Sequence, residues 1–240
     1  MATNLNPFNS VAALATGSPL SPKTLKAGIV LLDPVSFTPN RVILLQYTPD
    51  QLTRSLKVQS VTGDTGDTGD KTEPLRLKGP PEESFKLEAE LDATDQLEFP
   101  TQNPNAVAYG IFPQLSALES LITPSADQIL ATDSFLAMGA IEIAPMEAPF
   151  ALFVWSAQRV APVRVTEFSI TEEAFDVDLN PIRAKVSLGL RVLSVNDMGY
   201  AHPGARYFMS YLGRKETLAK FAFGTEVTQS IDQLGATGLI

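Results

Sequence analysis

One histidine, one knot of carboxylates and one aspartate-rich repeat are the candidate reactive groups of this 240-residue chain. His202 is the single histidine and stands in Ala201-His202-Pro203-Gly204. A Ser-His-Asp hydrolase would have to use it as the base. A zinc site wants several imidazole or thiolate ligands, which one histidine and no cysteine cannot supply. A lone histidine in a Pro-Gly loop reads as a surface residue. Glu172, Glu173, Asp176 and Asp178 form the knot of carboxylates. Two carboxylates held across a cleft can hydrolyse a glycosidic bond. These fall in one short connection between two strong strands, ahead of Asn180-Pro181, and a solvated turn is the favoured reading. Thr-Gly-Asp occurs three times in succession over 62–70. Repeated Asp and Gly can wrap a calcium ion, but the spacing is not that of known calcium loops. Gly and Asp together make a flexible, solvated loop tip. No Gly-x-Gly-x-x-Gly and no Gly-Lys-Ser/Thr phosphate loop occurs. Trp155 lies inside the apolar run Phe150–Trp155, which favours the core over a sugar-stacking platform. The reading is a non-enzyme with no catalytic residue, no cofactor and no metal.

Composition narrows the partners. The formal charge is −9 with a pI of about 4.7. Nucleic acid and anionic membrane surfaces reward clustered Lys and Arg, so neither is expected as the main partner. The absence of cysteine excludes disulfides and thiolate chemistry. Met1 leads into Ala-Thr-Asn-Leu-Asn-Pro, with no basic segment and no long apolar one, so a secretory signal is not expected. The apolar runs Gly28–Leu32 and Ala148–Trp155 are too short to span a bilayer. The expected product is soluble and cytoplasmic.

The elements that must carry these residues read mainly as strands. Ala27–Leu32 and Arg41–Tyr47, separated by a turn over Ser36–Asn40, make a hairpin. Phe85, Leu87, Ala89 and Leu91 share one face of a half-buried strand, with Lys86, Glu88 and Glu90 on the other. Over Val107–Ile122 the period changes. Ile111, Leu115, Leu118 and Ile122 stack at helical spacing before Thr123-Pro124, giving a helix packed on the sheet or, second, a groove for another chain's helix. The segment Ala126–Ala144 fits neither period. Phe150–Trp155 suits a strand buried on both faces. Val163–Ile170 continues the β pattern, with a slip at Glu167-Phe168 that marks a bulge. Arg183–Leu193 is the strongest strand: Ala184, Val186, Leu188, Leu190 and Val192 face inward, and Arg183, Lys185, Ser187, Gly189 and Arg191 face outward. Arg206–Phe221 is predicted helical, weakened at Gly213. The chain therefore divides into an extended arm over 1–24, a β domain over 25–198 with a flexible loop at 62–70, and a C-terminal helix and tail over 199–240.

Two stretches resemble a known family. One is Ala27-Gly28-Ile29-Val30-Leu31-Leu32-Asp33-Pro34 followed by Arg41-Val42-Ile43-Leu44-Leu45-Gln46-Tyr47-Thr48-Pro49-Asp50-Gln51-Leu52-Thr53-Arg54-Ser55-Leu56. The other runs from Leu152-Phe153-Val154-Trp155 through Arg159–Val165 and Ser169–Asp176 to Leu179-Asn180-Pro181-Ile182-Arg183-Ala184-Lys185-Val186. Together they resemble the tube proteins of extracellular contractile injection systems of the antifeeding-prophage type, over roughly residues 25–220. Baseplate members carry Tyr-Asn-Pro where this chain has Tyr47-Thr48-Pro49, and many add a LysM module, of which no pattern is seen here. The resemblance implies an antiparallel β-barrel or sandwich of the phage tail tube type with flanking helices. It implies a structural subunit, a tube initiator, in a hexameric ring of the inner tube at the baseplate between spike and main tube. Its partners would be copies of itself, the spike, neighbouring tube subunits and baseplate proteins, inside the producing bacterium and then in an assembled particle. Arg183, Lys185 and Arg191 become candidates for the lumen or a subunit interface. The rival expectation is a β-sandwich that binds a carbohydrate or cell-surface partner.

Overall fold

The apolar alternation folds into seven antiparallel strands in the computed structural model, which describes residues 27–33, 36–47, 49–59, 77–137 and 148–222. The arm 1–24, the repeat at 62–70 and the tail beyond Ala222 lie outside the described residues. The strands are β1 (Gly28–Leu32), β2 (Pro39–Leu44), β3 (Leu52–Lys57), β4 (Glu82–Asp92), β5 (Ala151–Ser156), β6 (Arg159–Phe175) and β7 (Pro181–Val192). They form one sheet in the order β2-β1-β5-β6-β7-β4-β3, and among the described residues the sheet is not closed by strand pairing. β1 and β2 make the expected hairpin, with β2 beginning at Pro39 rather than Arg41.

Alternation of period two puts one face of β4 and β7 into the core. Phe85, Leu87, Ala89 and Leu91 are buried, as are Ala184, Val186, Leu188, Leu190 and Val192, while Lys86, Glu88 and Glu90 are exposed. In β6 the pairing steps from Val165 to Glu167, leaving Thr166 unopposed. The inward set therefore passes from Val163 and Val165 to Phe168 and Ile170 across the slip read in the sequence. β6 does not stop at Ile170 but runs on to Phe175. Glu172 and Glu173 are thus strand residues, and only Asp176 and Asp178 belong to the turn.

The sheet curls strongly. β4 and β5 are three places apart in the strand order, about 14 Å on a flat sheet, yet the Phe85 and Phe153 rings lie 5.4 Å apart between centroids. Near the other edge the Gln46 side-chain amide, just after β2, donates to the Asp92 carbonyl and accepts from the Asp92 N–H at 2.9 Å, as a neighbouring strand would. A single core from all these strands fills the concave side.

Helices close that core. α1 (Thr94–Leu97), α2 (Pro104–Tyr109) and α3 (Phe112–Glu119) follow β4, and α4 (Ala126–Ala137) follows them. The single helix expected over Val107–Ile122 is two, broken at Gly110 with φ 56°. A Cβ at Gly110 would stand 2.1 Å from the Pro181 carbonyl oxygen, so the chain turns there to let β7 begin. Ile111, Leu115 and Leu118 are buried as expected, but Ile122 is exposed and Leu121 takes the buried place. α5 (Val195–Met198) starts with a capping box of Ser194 and Asp197. α6 (Ala205–Ala222) packs on β6 and sends Phe208 and Tyr211 into the core. A smaller apolar cluster of Leu32, Phe37 and Leu152 is covered by Phe150 and Tyr207. His202 belongs beside it and is not a plain surface residue. Its ring stands edge-on to Phe37 at 5.2 Å, and its Nδ1 accepts the Gly204 N–H at 3.0 Å.

Candidate assembly surface

The outward residues of β7 meet two rows of acids. Asp92 stands opposite Arg183 in the pairing of β4 with β7, and the Arg183 guanidinium holds its carboxylate at 2.6 Å. Lys185 reaches Glu173 of β6 at 3.0 Å and stands opposite Glu90 of β4. Arg191 sits between Glu82 at 2.9 Å and Asp197 at 2.5 Å. All three cations predicted to mark a lumen or interface therefore lie on one face, each bound to a neighbouring element. Arg183 and Lys185 are held above their ordinary pKa by hydrogen bonds to Asp92 and Glu173 and by the attraction of those carboxylates. Burial alone would raise Asp92, but the Thr94 hydroxyl and N–H and the Arg183 guanidinium outweigh it and hold the carboxyl below its usual range. Asp197 is likewise held low, against burial, by Ser194 and Arg191.

Gly189 completes this pattern. Lys86 of β4 and Glu167 of β6 both stand opposite it in the strand pairing. They meet across it, Nζ to Oε2 at 2.8 Å. A Cβ on residue 189 would come within 2.9 Å of the Glu167 Cβ, so the missing side chain is what lets an ion pair bridge two strands. Such exposed pairs add little stability each. Together they fix side-chain positions on the outward face of β4, β6 and β7.

Beside this face runs an open groove of about 780 Å³. The connection from β2 to β3 forms one wall, with Tyr47, Asp50 and Gln51, and the outward residues Lys86, Glu88, Glu90 and Lys185 form the floor. It carries more acid than base, and its floor holds one of the three predicted cations.

The sequence reading missed a second charged group. Glu83 lies on the same face of β4 as Phe85 and is only 4% exposed. Its carboxylate accepts from Arg54 Nε at 2.6 Å, from the Tyr211 hydroxyl at 2.8 Å and from Lys215 Nζ at 2.5 Å, tying β3 and β4 to α6. Burial and the adjacent Glu83 push the Tyr211 hydroxyl well above its ordinary range. Burial pulls Lys215 down, and the Glu83 carboxylate opposes this without cancelling it. The parity of position 83 with 85, 87, 89 and 91 was the available signal.

Two of the four carboxylates that could have formed a hydrolytic pair are engaged otherwise. Glu173 pairs with Lys185. Asp176 accepts from the Asp178 N–H, the Asn180 N–H and the Asn180 side-chain amide, each at 2.8 Å. Trp155 packs half-buried against the main core. Among the described residues, no group of three or more His, Asp or Glu side chains is placed to hold a metal ion, and no helix is long and apolar enough to cross a membrane.

No protein-family model matches this chain, and a search of curated proteins finds no significant match.

Proposed function

We propose that this chain is a structural subunit of a contractile injection system, forming a ring of the inner tube at the baseplate between spike and main tube. The observation that carries the reading is the curled antiparallel sheet whose two end strands, β2 and β3, each pair on one side only among the described residues. A strand edge with unmade N–H and C=O bonds is a template for another chain. Two such edges on one subunit, on either side of a face stiffened by Asp92–Arg183, Glu173–Lys185 and Lys86–Glu167, suit a part whose work is to be assembled. The resemblance of residues 25–220 to tube proteins of antifeeding-prophage type supplies the particular assembly. Its partners are copies of itself in a hexamer, the spike, adjoining tube subunits and baseplate proteins, in the cytoplasm of the producing bacterium and in the finished particle. The role is non-enzymatic and calls for no cofactor, nucleic acid or membrane insertion.

A binding module for a carbohydrate or cell-surface partner is the second reading. Its support is the polar groove beside the half-exposed Tyr47 ring. Native mass spectrometry of the purified chain and negative-stain imaging of particles carrying a labelled copy separate the two. Rings, and label at the baseplate end, are expected. A chain that stays monomeric, is absent from particles and is retained by a glycan surface would overturn the tube reading.

A further inference from the structure

The hairpin that joins β6 to β7 ends in side chains that a solvated turn would not select. Val177 is 97% exposed and Leu179 79% exposed. Leu179 also has φ 64°, a left-handed conformation unfavourable for a large apolar residue. The turn is nevertheless rigid. Asp176 ties itself to the backbone of Asp178 and Asn180, and its own N–H donates to the Asn180 carbonyl at 2.9 Å. The base of the hairpin is fixed as well, since the Ile111 N–H donates to the Pro181 carbonyl at 2.8 Å beside Gly110. Two aliphatic side chains are thus held out into water on a stiff, acidic support that includes Asp176 and Asp178.

Complementary chemistry lies at the other end of the same strand. A recess of about 370 Å³ opens between β3, the β5–β6 turn and α6, with Arg54, Gln158, Arg159, Lys215, Tyr211 and Leu218 in its lining. Leu218 and the Tyr211 ring give it apolar walls, and Lys215 Nζ lies 4.2 Å from that ring's centroid. Glu83 is the carboxylate that pairs with Arg54 and Lys215, so Arg159 leaves the recess basic in a chain whose net charge is −9. Arg159 begins β6 and Phe175 ends it, about 50 Å apart at the rise of a strand. The tip cannot reach the recess of its own molecule.

We infer that the β6–β7 tip of one copy, through Val177, Asp178 and Leu179, docks in the Arg159–Lys215–Leu218 recess of a second copy of this chain. The contact joins two different patches, so each copy offers both halves and the interaction repeats until a ring closes or a fibre grows. The inference rests on the assembly reading above in taking a second copy as occupant.

Because the chain contains no cysteine, the contact can be trapped directly. A Val177→Cys, Gln158→Cys double variant of the full chain, oxidised at high protein concentration and in particles, should give a ladder of disulfide-linked multimers. Asp178→Arg or Arg159→Glu added to it should abolish the ladder, and the two reversals together should restore it. No ladder from the double variant in either setting overturns the contact, and so do single reversals that leave the ladder intact. Dimers from Val177→Cys alone, as extensive as those from the double variant, mean that tips meet tips and also overturn it. A charge-dependent ladder without rings in the microscope keeps this contact and sinks the tube reading. Rings without the ladder do the reverse.

Discussion

Replacing Glu83 with Ala tests whether a buried carboxylate pins α6 to the sheet. The change strands three donors. Tyr211 is 3% exposed, and its hydroxyl loses its acceptor, which costs about 1–3 kcal/mol for a buried polar group left unmade. The Arg54 and Lys215 side chains are 34% and 29% exposed, so water compensates in part. Discounted for that exposure, each lost ion pair contributes about 0.5–1 kcal/mol. The sum is about 2–5 kcal/mol. For a domain of this size that is a fall in Tm of roughly 5–15 °C. Circular-dichroism melting of the single and double variants gives the sharper readout. Tyr211→Phe should destabilise the parent by about 1 kcal/mol, the ordinary value of one hydrogen bond. In the Glu83→Ala background the same change should stabilise, because it removes the stranded hydroxyl. If Tyr211→Phe costs the same in both backgrounds, the two groups are not coupled and the buried tie is not what holds α6.

Leu188 is fully buried, so Leu188→Ala should cost about 2–5 kcal/mol by the same melting assay. Lys185→Glu should leave the melting close to that of the parent, because its ion pair is exposed. A damaging Lys185→Glu with a neutral Leu188→Ala would invert the assignment of faces. Gly110→Ala meets both a positive φ and the Pro181 carbonyl, so a loss of roughly 2 kcal/mol or more is expected. Hydrogen exchange at the Ile111 N–H should accelerate with it, and unchanged exchange would mean the close approach is not needed. Asp92 and Asp197 have folded pKa values below their ordinary 3.8, so the unfolded chain takes up their protons first as pH falls. Their stabilisation is complete well above pH 3.8 and fades as pH drops through the depressed folded values. Asp92→Asn should flatten that acid limb of a stability-pH curve, and an unchanged limb would mean the pair with Arg183 contributes nothing.

Residue order alone defines the strands whose neighbours impose a strict two-residue period. β4 and β7 lie buried on one side and polar on the other, and Phe85 to Leu91 and Ala184 to Val192 carry that pattern without interruption. It also marked the slip in β6, because an extra residue at Thr166 displaces every later side chain by one face. The helix Ala205–Ala222 was legible from its spacing within one residue at each end. What it did not determine is everything set by residues far apart in the chain. The break at Gly110 follows from the Pro181 carbonyl, 71 positions later, and no local period records that approach. The acids that neutralise Arg183, Lys185 and Arg191 arrive on β4, β6 and α5, so an outward basic row read from β7 alone becomes a set of closed pairs. Glu83 shares the parity of the core residues, but only the packing of α6 brings Tyr211 and Lys215 to satisfy it. Alternation fixes which way a side chain points from its own strand. Which atoms wait there depends on the curl of the sheet and the path of distant segments, and those are set by the tertiary structure.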